Sequence, residues 1–478
     1  MVQYQTVVGL EVHIQMNTYS KAFCGDALSF GAEPNTHVST ISLAHPGTLP
    51  KPNKEHIKKG IKLALSLNSE VNKVNAFDRK HYYYADSPKA YQITQDRLPI
   101  CVGGALEIEL ADGSKKNVRI HHMHMEEDAG KTIHDIDTQY SMVDLNRAGT
   151  PLLELVTEPD LNSGDEVLAF IAQLQQLVRY LGISDGDMEK GSLRCDVNIS
   201  VNPVGSKILG ERCEVKNVNS KKNAKAAVLF ETQRQIALKE KGVTFNKQTL
   251  HFDPESGRTS PMRDKEDADD YRYFPDPDLP PIRIRQSEID EIQEHLPALP
   301  WEVKKKMKEQ VKLNEYDSTI LSSDKKIADY FFNLLEQKAN PKLLANLIIN
   351  KILPHLNGKE MSSIEIEEDL IISFLSLIEI GKVSPSTAYQ KLWPALIDNP
   401  SKPPLDLAQS LGILQIKDDG IISKIIEEVI SENSVQAEEY RKGKKKVFGF
   451  LIGQAMRKSK GSAAPDAVKK ALMDALHN

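Results

Sequence analysis

The chain has 478 residues, 40% hydrophobic and 27% charged; these globular values exclude global disorder, and at roughly 150 residues per domain the length implies about three domains. A net charge of −6 is the wrong sign for a general nucleic-acid coat protein, although it leaves room for a local basic patch. Four scattered cysteines (Cys24, Cys101, Cys195, Cys213) exclude a disulfide scaffold, no apolar run reaches the ~20 residues of a membrane span, and no signal-type stretch opens the chain, so a cytoplasmic protein with reduced thiols and no membrane association is expected.

The first predicted element is a strand from Val7 to Met16. Val8, Leu10, Val12, Ile14 and Met16 fall on one face and Gly9, Glu11, His13 and Gln15 on the other, because side chains alternate along a strand. Glu11 and His13 therefore aim the same way, as a solvated outer face or as part of a site. From His121 to Lys131, three acids (Glu126, Glu127, Asp128) directly follow a histidine-rich strand. The run reads as a hard-cation site, since Mg²⁺ takes one or two carboxylates plus water and phosphate. It reads equally as a zinc-like histidine cluster or an acidic loop. Pro151 to Val156 is an apolar run interrupted by Glu154, a carboxylate that is costly to bury unless paired or bound to a cation. Ser163-Gly164-Asp165-Glu166 is a capping box that opens an amphipathic helix through Tyr180.

A second alternation sets Leu193, Cys195, Val197, Ile199 and Val201 against Arg194, Asp196, Asn198 and Ser200. After a turn around 202–205, a return strand presents Arg212, Glu214 and Lys216 opposite Cys213 and Val215. A two-faced antiparallel sheet explains this pattern on solubility grounds, yet both signs of charge mixed with amides also suit phosphate and metal. Ser220 precedes a helix over about 222–241, and the segment 262–279, dense in charges and aromatics, is either a solvated loop or a surface that stacks on a polar ligand or RNA end. The pattern changes near Leu296-Pro297-Ala298-Leu299-Pro300; beyond it 327–335, 343–352 and 364–378 have helical spacing, and the proline-rich 399–404 marks a second boundary. The expected fold is α+β, with an antiparallel-sheet domain over 1–295, an all-α domain over 296–404 and a small all-α tail over 405–478.

From Arg441 to Asn478 the tail carries ten Lys and Arg against two Asp, a net +8, which leaves −14 for the rest of the chain. That concentration favours contact with a phosphate backbone over a merely solvated tail. No GxxxxGK[ST] loop, Rossmann glycine fingerprint, HExxH or GxSxG occurs. A site for ATP would have to be built from carboxylates, a metal and basic clamps.

Eight ordered motifs carry a resemblance: Gly9-Leu10-Glu11-Val12-His13, Phe77 to Lys80, Pro88 to Ile93, Met125 to Lys131, Val143 to Arg147, Gly191 to Asp196, Glu214 to Ser220 and Asp270 to Pro275. Together with Gly443-Lys444 and Gly449 to Met456 they resemble, along the whole chain, the B subunits of the aspartyl/glutamyl-tRNA amidotransferases. The resemblance implies a cradle domain, a helical domain and a tRNA-gripping tail. It implies a ligase that uses glutamine as amido donor: ATP phosphorylates the side-chain carboxylate of Glu-tRNA(Gln) or Asp-tRNA(Asn), and ammonia from a partner of the amidase type, the A subunit, then displaces the phosphate. A small third component, the C subunit, completes the heterotrimer.

By motif position the resemblance implies that His13, Glu127 and Glu154 hold the catalytic Mg²⁺, with Glu11, Asp196 and Glu214 as further acids of the same pocket. Lys89, Arg194 and Lys216 are expected phosphate contacts, and Arg441, Lys442, Lys444, Lys445, Lys446, Arg457, Lys458 and Lys460 expected tRNA contacts. Many members carry CxC and CxxC pairs near the first strand; here only Cys24 remains, with Ser39 and Ser42 at the CxxC positions. No zinc is therefore expected, and Ser42 to Gly47 resembles the zinc-free branch. His122 replaces a common arginine, and Gly461 to Pro465 departs from the usual pattern. Two other readings compete: a tRNA-binding scaffold whose pocket has lost its chemistry, and a metal-dependent hydrolase unrelated to tRNA. The complete acidic set argues against the first, and the basic tail against the second.

Overall fold

The alternation along Val7 to Met16 becomes β1 (Tyr4–Gln15), the central strand of a ten-stranded sheet. The computed structural model describes residues 2–134, 137, 139–206, 208–262, 271–415, 419–459 and 463–477. It divides into two units, Met1–Pro300 and Trp301–Asn478.

In the first unit β1 is followed by α1 (Lys54–Ser66), β2 (Glu70–Val71), β3 (Asp78–His81), β4 (Tyr91–Thr94), β5 (Cys101–Val102), β6 (Ala105–Glu109), β7 (Lys115–Glu127) and β8 (Pro151–Thr157). Then come α2 (Gly164–Tyr180), β9 (Leu193–Pro203), β10 (Cys213–Val218), α3 (Lys221–Glu240), β11 (Gln248–Asp253), β12 (Arg258–Pro261) and β13 (Phe274–Pro275). The large sheet runs β12-β11-β10-β9-β1-β8-β7-β5-β2, with β6 also on β7, and β13-β3-β4 form a small sheet of their own. Pairing is antiparallel except between β10 and β11, which α3 connects, as a parallel crossover requires a long connection.

One sheet face is apolar. Val8, Val12 and Ile14 of β1 and Leu153 and Leu155 of β8 are wholly buried, each contributing about 1.5–3 kcal/mol. α1 packs on β7 and β8, where a Cβ on Gly60 would lie 3.7 Å from Leu153 and 3.8 Å from Met125. The capping box opening α2 takes a shifted form. Ser163 Oγ accepts from Glu166 N at 3.2 Å, but the Glu166 carboxylate returns to Asn162 N at 2.7 Å and to Lys116 Nζ at 2.8 Å. α3 is anchored differently, by a fully buried carboxylate. Glu231 accepts from Arg234 at 2.7 and 2.8 Å, from Gln235 at 2.9 Å and from Thr259 of β12 at 3.0 Å.

The second unit is helical, as its periodicity predicts. α4 (Lys325–Glu336) matches the run over 327–335, whereas α5 (Glu368–Glu379) begins later than 364, because Ile364 and the N-cap Glu367 have extended backbone. α6 (Asp419–Glu432), α7 (Ser434–Arg441), α8 (Val447–Lys458) and α9 (Pro465–His477) share a core of Ile422, Ile426, Val429, Leu451, Ala455, Val468 and Leu472.

Candidate active site

The polar face of the large sheet is assembled by register. Arg194 of β9, His13 of β1, Glu154 of β8 and His124 of β7 are successive cross-strand partners, and beside that row Asp196 pairs with Glu11. Parity selects these side chains. Met123 and Met125 are wholly buried on the apolar face, so His122, His124 and Glu126 project to the other.

The donor atoms of His13, Glu126 and Glu154 all lie within 4.8 Å of one another, the one such group of His, Cys, Asp or Glu among the described residues. His13 Nε2 is 3.4 Å from Glu154 and 3.6 Å from Glu126, and His124 Nε2 is 3.0 Å and 3.7 Å from the same carboxylates. Burial pulls His13 down, but Glu154 and then Glu126 outweigh it and hold the ring up at about 9. The same contest leaves His124 at about 10. Burial opposes ionisation of Glu154, yet His124 and His13 keep its carboxyl well below the usual range. Two carboxylates thus sit together on the sheet face and favour the protonated form of the two imidazoles against them. The fit to a divalent cation follows from this donor set. The paired carboxylates are hard oxygen donors suited to Mg²⁺, the imidazoles become borderline donors that transition metals also accept once a cation displaces their protons, and His124 Nδ1 is buried without a hydrogen-bond partner among the described residues. Beneath the cluster, His56 of α1 donates from Nε2 to Leu152 O at 2.8 Å, and burial keeps it neutral by pushing it down to about 4.

Glu127 is placed elsewhere. The strand turns it away from Glu126, and Lys89 Nζ donates to it at 2.7 Å and Ile93 N at 3.0 Å. It lines a cavity of about 240 Å³ with Lys89, Tyr91, Cys24, Ser42 and Gly149. The structure therefore brings His13 and Glu154 together with Glu126 rather than with Glu127. The signal was the period-2 parity of the run, in which Glu126 keeps step with His122 and His124.

The further acids do share the sheet face. Asn198 Nδ2 donates to Glu11 at 2.9 Å, and Lys216 bridges Asp196 at 3.0 Å and Glu214 at 2.7 Å. Burial, Glu154 and Glu214 push the Glu11 carboxyl up. The three basic residues expected at phosphate are each committed to a carboxylate, Lys89 to Glu127, Arg194 to Asp128 at 2.9 Å and Lys216 as above. Cys24, Asp26, Ser39 and Ser42 meet in one hydrogen-bonded knot, with Asp26 accepting from Ser39 N at 2.9 Å and from the Ser42 hydroxyl and Cys24 Sγ 3.4 Å from Ser42 Oγ.

Of the tail residues, Arg441, Lys445, Lys446 and Arg457 are exposed. Lys442 pairs with Glu438 at 3.1 Å, Lys444 with Glu439 at 2.7 Å and Lys458 with Glu428 at 2.8 Å. Lys460 lies outside the described residues, as does most of the charged half of the 262–279 segment.

Two family models match: the GatB/GatE catalytic domain over residues 6–290 and the GatB domain over residues 329–476. Among curated relatives, the B subunit of the aspartyl/glutamyl-tRNA(Asn/Gln) amidotransferase of Persephonella marina is 43% identical, covering 99% of this chain and 100% of that protein. The proteins of the same name from Ligilactobacillus salivarius and Rickettsia typhi are 42% and 43% identical, each over 99% of this chain and over 99% and 98% of their own lengths. The chain belongs to this GatB/GatE family.

Proposed function

We propose that this member of the family is the B subunit of a glutamine-dependent tRNA amidotransferase and the component that activates the amino acid with ATP. The observation that carries the chemistry is the group of His13, Glu126 and Glu154, with His124 against it, on the polar face of the sheet. A side-chain carboxylate of Glu-tRNA(Gln) or Asp-tRNA(Asn) attacks the γ-phosphorus of ATP, the bond to the bridging oxygen breaks, and its electron pair leaves on ADP. Ammonia then attacks the acyl carbon, inorganic phosphate departs, and loss of a proton from nitrogen leaves Gln-tRNA(Gln) or Asn-tRNA(Asn).

Both reactants of the first step are anions, so positioning and charge neutralisation are what the protein must supply. His13, Glu126 and Glu154 would hold Mg²⁺, which when bound supplies the charge that lets a carboxylate approach a triphosphate. Glu11, Asp196 and Glu214 frame the same face. Arg194 and Lys216 would reach phosphate by exchanging a carboxylate partner for it, and Glu127 acts from the neighbouring cavity by holding Lys89. The hydrogen bonds from Ser39 and Ser42 to Asp26 beside Cys24 support a reading in which this place needs no zinc.

The partners are an amidase-type A subunit, a small C subunit and the misacylated tRNA, and the setting is cytoplasmic translation; among the described residues no helix is long and apolar enough to cross a membrane. Residues 1–295 form the catalytic cradle, 296–404 a helical domain, and 405–478 the tRNA grip, using Arg441, Lys445, Lys446 and Arg457 first and Lys442, Lys444, Lys458 and Lys460 with them. The scaffold alternative is disfavoured because a pocket without chemistry has no need of two largely buried carboxylates facing two imidazoles. The test is reconstitution of the heterotrimer with its amidase-type and small partners, supplied with Glu-tRNA(Gln), ATP, Mg²⁺ and glutamine. Gln-tRNA(Gln) should form and should require ATP and Glu154; amide formation by Glu154→Gln at the wild-type rate would overturn the assignment.

A further inference from the structure

The expected phosphate contacts are all engaged with carboxylates, which raises the question of which cation is free to meet an incoming polyanion. The small sheet supplies one. In β3 and β4, Lys80 is the cross-strand partner of Gln92 and Asp78 of Thr94, so Lys80, Gln92 and Thr94 share a face. That face looks onto the end of β7: Thr94 Oγ1 donates to Glu126 at 3.3 Å and Gln92 Nε2 to Glu127 O at 2.7 Å. The opposite face is tied down by Arg79, which donates to Asp276 at 2.9 Å and Asp278 at 2.8 Å and stacks on Tyr91. Lys80 is half-buried; burial works against its charge, but Tyr273, then Glu126 and Glu154, outweigh it and push its pKa up. Among the described residues it has no carboxylate within ion-pair distance. Its ammonium lies instead over the Tyr271 ring, 4.7 Å from the centroid. A ring face holds a cation without satisfying its hydrogen-bond donors, so among the described residues the N–H groups of Lys80 are left for a ligand.

We propose that Lys80 is a catalytic residue that contacts the non-bridging oxygens of the transferred phosphoryl group, and that Tyr271 is the positioning residue that keeps it from collapsing onto Glu126 and Glu154. This rests on the reading that the site transfers the γ-phosphoryl of ATP to a carboxylate. As the Pγ–O bond to ADP breaks and the bond to the carboxylate oxygen forms, Lys80 keeps its proton and balances charge on the group in flight. A preorganised donor of this kind typically matters by about 100-fold.

The test uses the reconstituted complex with Glu-tRNA(Gln), measuring kcat and KM for ATP, once with glutamine and once with an ammonium salt as nitrogen source. Lys80→Gln should lower kcat/KM for ATP by about 100-fold with either source, and Lys80→Arg should recover part of the loss. Tyr271→Leu should fall further than Tyr271→Phe, which keeps a ring face. An unaltered ATP dependence in Lys80→Gln would overturn the proposal, as would a defect that disappears when ammonium replaces glutamine, because Lys80 would then serve nitrogen delivery. If Lys80→Gln misfolds, seen as a lost thermal transition, the kcat-against-KM split of Lys80→Arg decides: wild-type values for both refute it. Failure of the wild-type complex to form amide would refute the underlying function instead, so the two failures are distinguishable.

Discussion

The sharpest prediction separates two adjacent glutamates. Glu126 faces His13 and His124 at 3.6 and 3.7 Å, whereas Glu127 faces Lys89 on the other side of the strand. Glu126→Gln preserves size and the hydrogen bond from Thr94 but removes one of two negative charges at the cation group. At an effective dielectric near 20, a single charge pair at that separation is worth roughly 4–5 kcal/mol before desolvation. Desolvation cancels part of it, and the net value of a charged contact is about 2–3 kcal/mol. Divalent-cation affinity should therefore fall roughly 30- to 150-fold in Glu126→Gln. Glu127→Gln removes no donor from the group and should change affinity less than about threefold, while still impairing amidation through Lys89. Mn²⁺ titration followed by electron paramagnetic resonance, with Mg²⁺ competition, measures both. Equal losses, or a larger loss in Glu127→Gln, would refute the parity argument and with it the choice of Glu126 as ligand.

Other outcomes follow from the same structure. Glu231→Ala leaves the Arg234 guanidinium without its partner and should destabilise the first unit by about 3–5 kcal/mol in urea unfolding, with little effect expected from the exposed Lys115–Glu107 pair. His56 has a folded-state value of about 4, below its ordinary value near 6.5. Its contribution is therefore fully present above about pH 6.5 and is lost as pH falls toward 4. The unfolding free-energy difference between the wild type and His56→Gln should shift by about 3 kcal/mol across that window, and a pH-independent difference would contradict burial of a neutral ring. Replacing Lys445, Lys446 and Arg457 by Gln should weaken tRNA binding and reduce the slope of log affinity against log salt by about 2–3. An unchanged slope would remove these side chains from the RNA contact.

Most of the polar face was legible because a strand has an integral period. Alternation alone groups Glu11 with His13, and Arg194 with Asp196 and Glu214, and register places the two groups in adjacent rows of one face. Glu127 shows where legibility ended. The motif carries two glutamates in succession, motif position pointed to the second, and only the extent of β7, running through both, fixes which keeps step with His124. Lys80 lies within one of the eight motifs, but its setting is not legible there, since it depends on β13 arriving from nearly 200 residues away to set Tyr271 beside it. The parallel pair of β10 and β11 was hidden for a related reason: residue patterns report which face a side chain takes, and they do not report the direction from which a neighbouring strand comes.

The division of charge gives these particulars a common logic. A site that must unite a triphosphate with a carboxylate attached to RNA cannot be lined with free cations, or it would hold its products as firmly as its substrates and raise no barrier advantage. Here the basic residues around the carboxylates are paired with them, as Arg194 is with Asp128 and Lys216 with Asp196 and Glu214. If these residues meet phosphate as proposed, an incoming anion must compete with the carboxylates that already hold them. Lys80, which among the described residues lies over a ring and has no acid within ion-pair distance, escapes that competition. If the tail grips RNA as proposed, long-range attraction falls to the +8 of residues 441–478, against the −14 carried by the remainder. That attraction is screened within ~8 Å at physiological salt, whereas the half-buried pairs of the site are not. Raising ionic strength should therefore increase the KM for tRNA much more than the KM for ATP. Equal sensitivity of the two constants would mean that one charged surface serves both substrates.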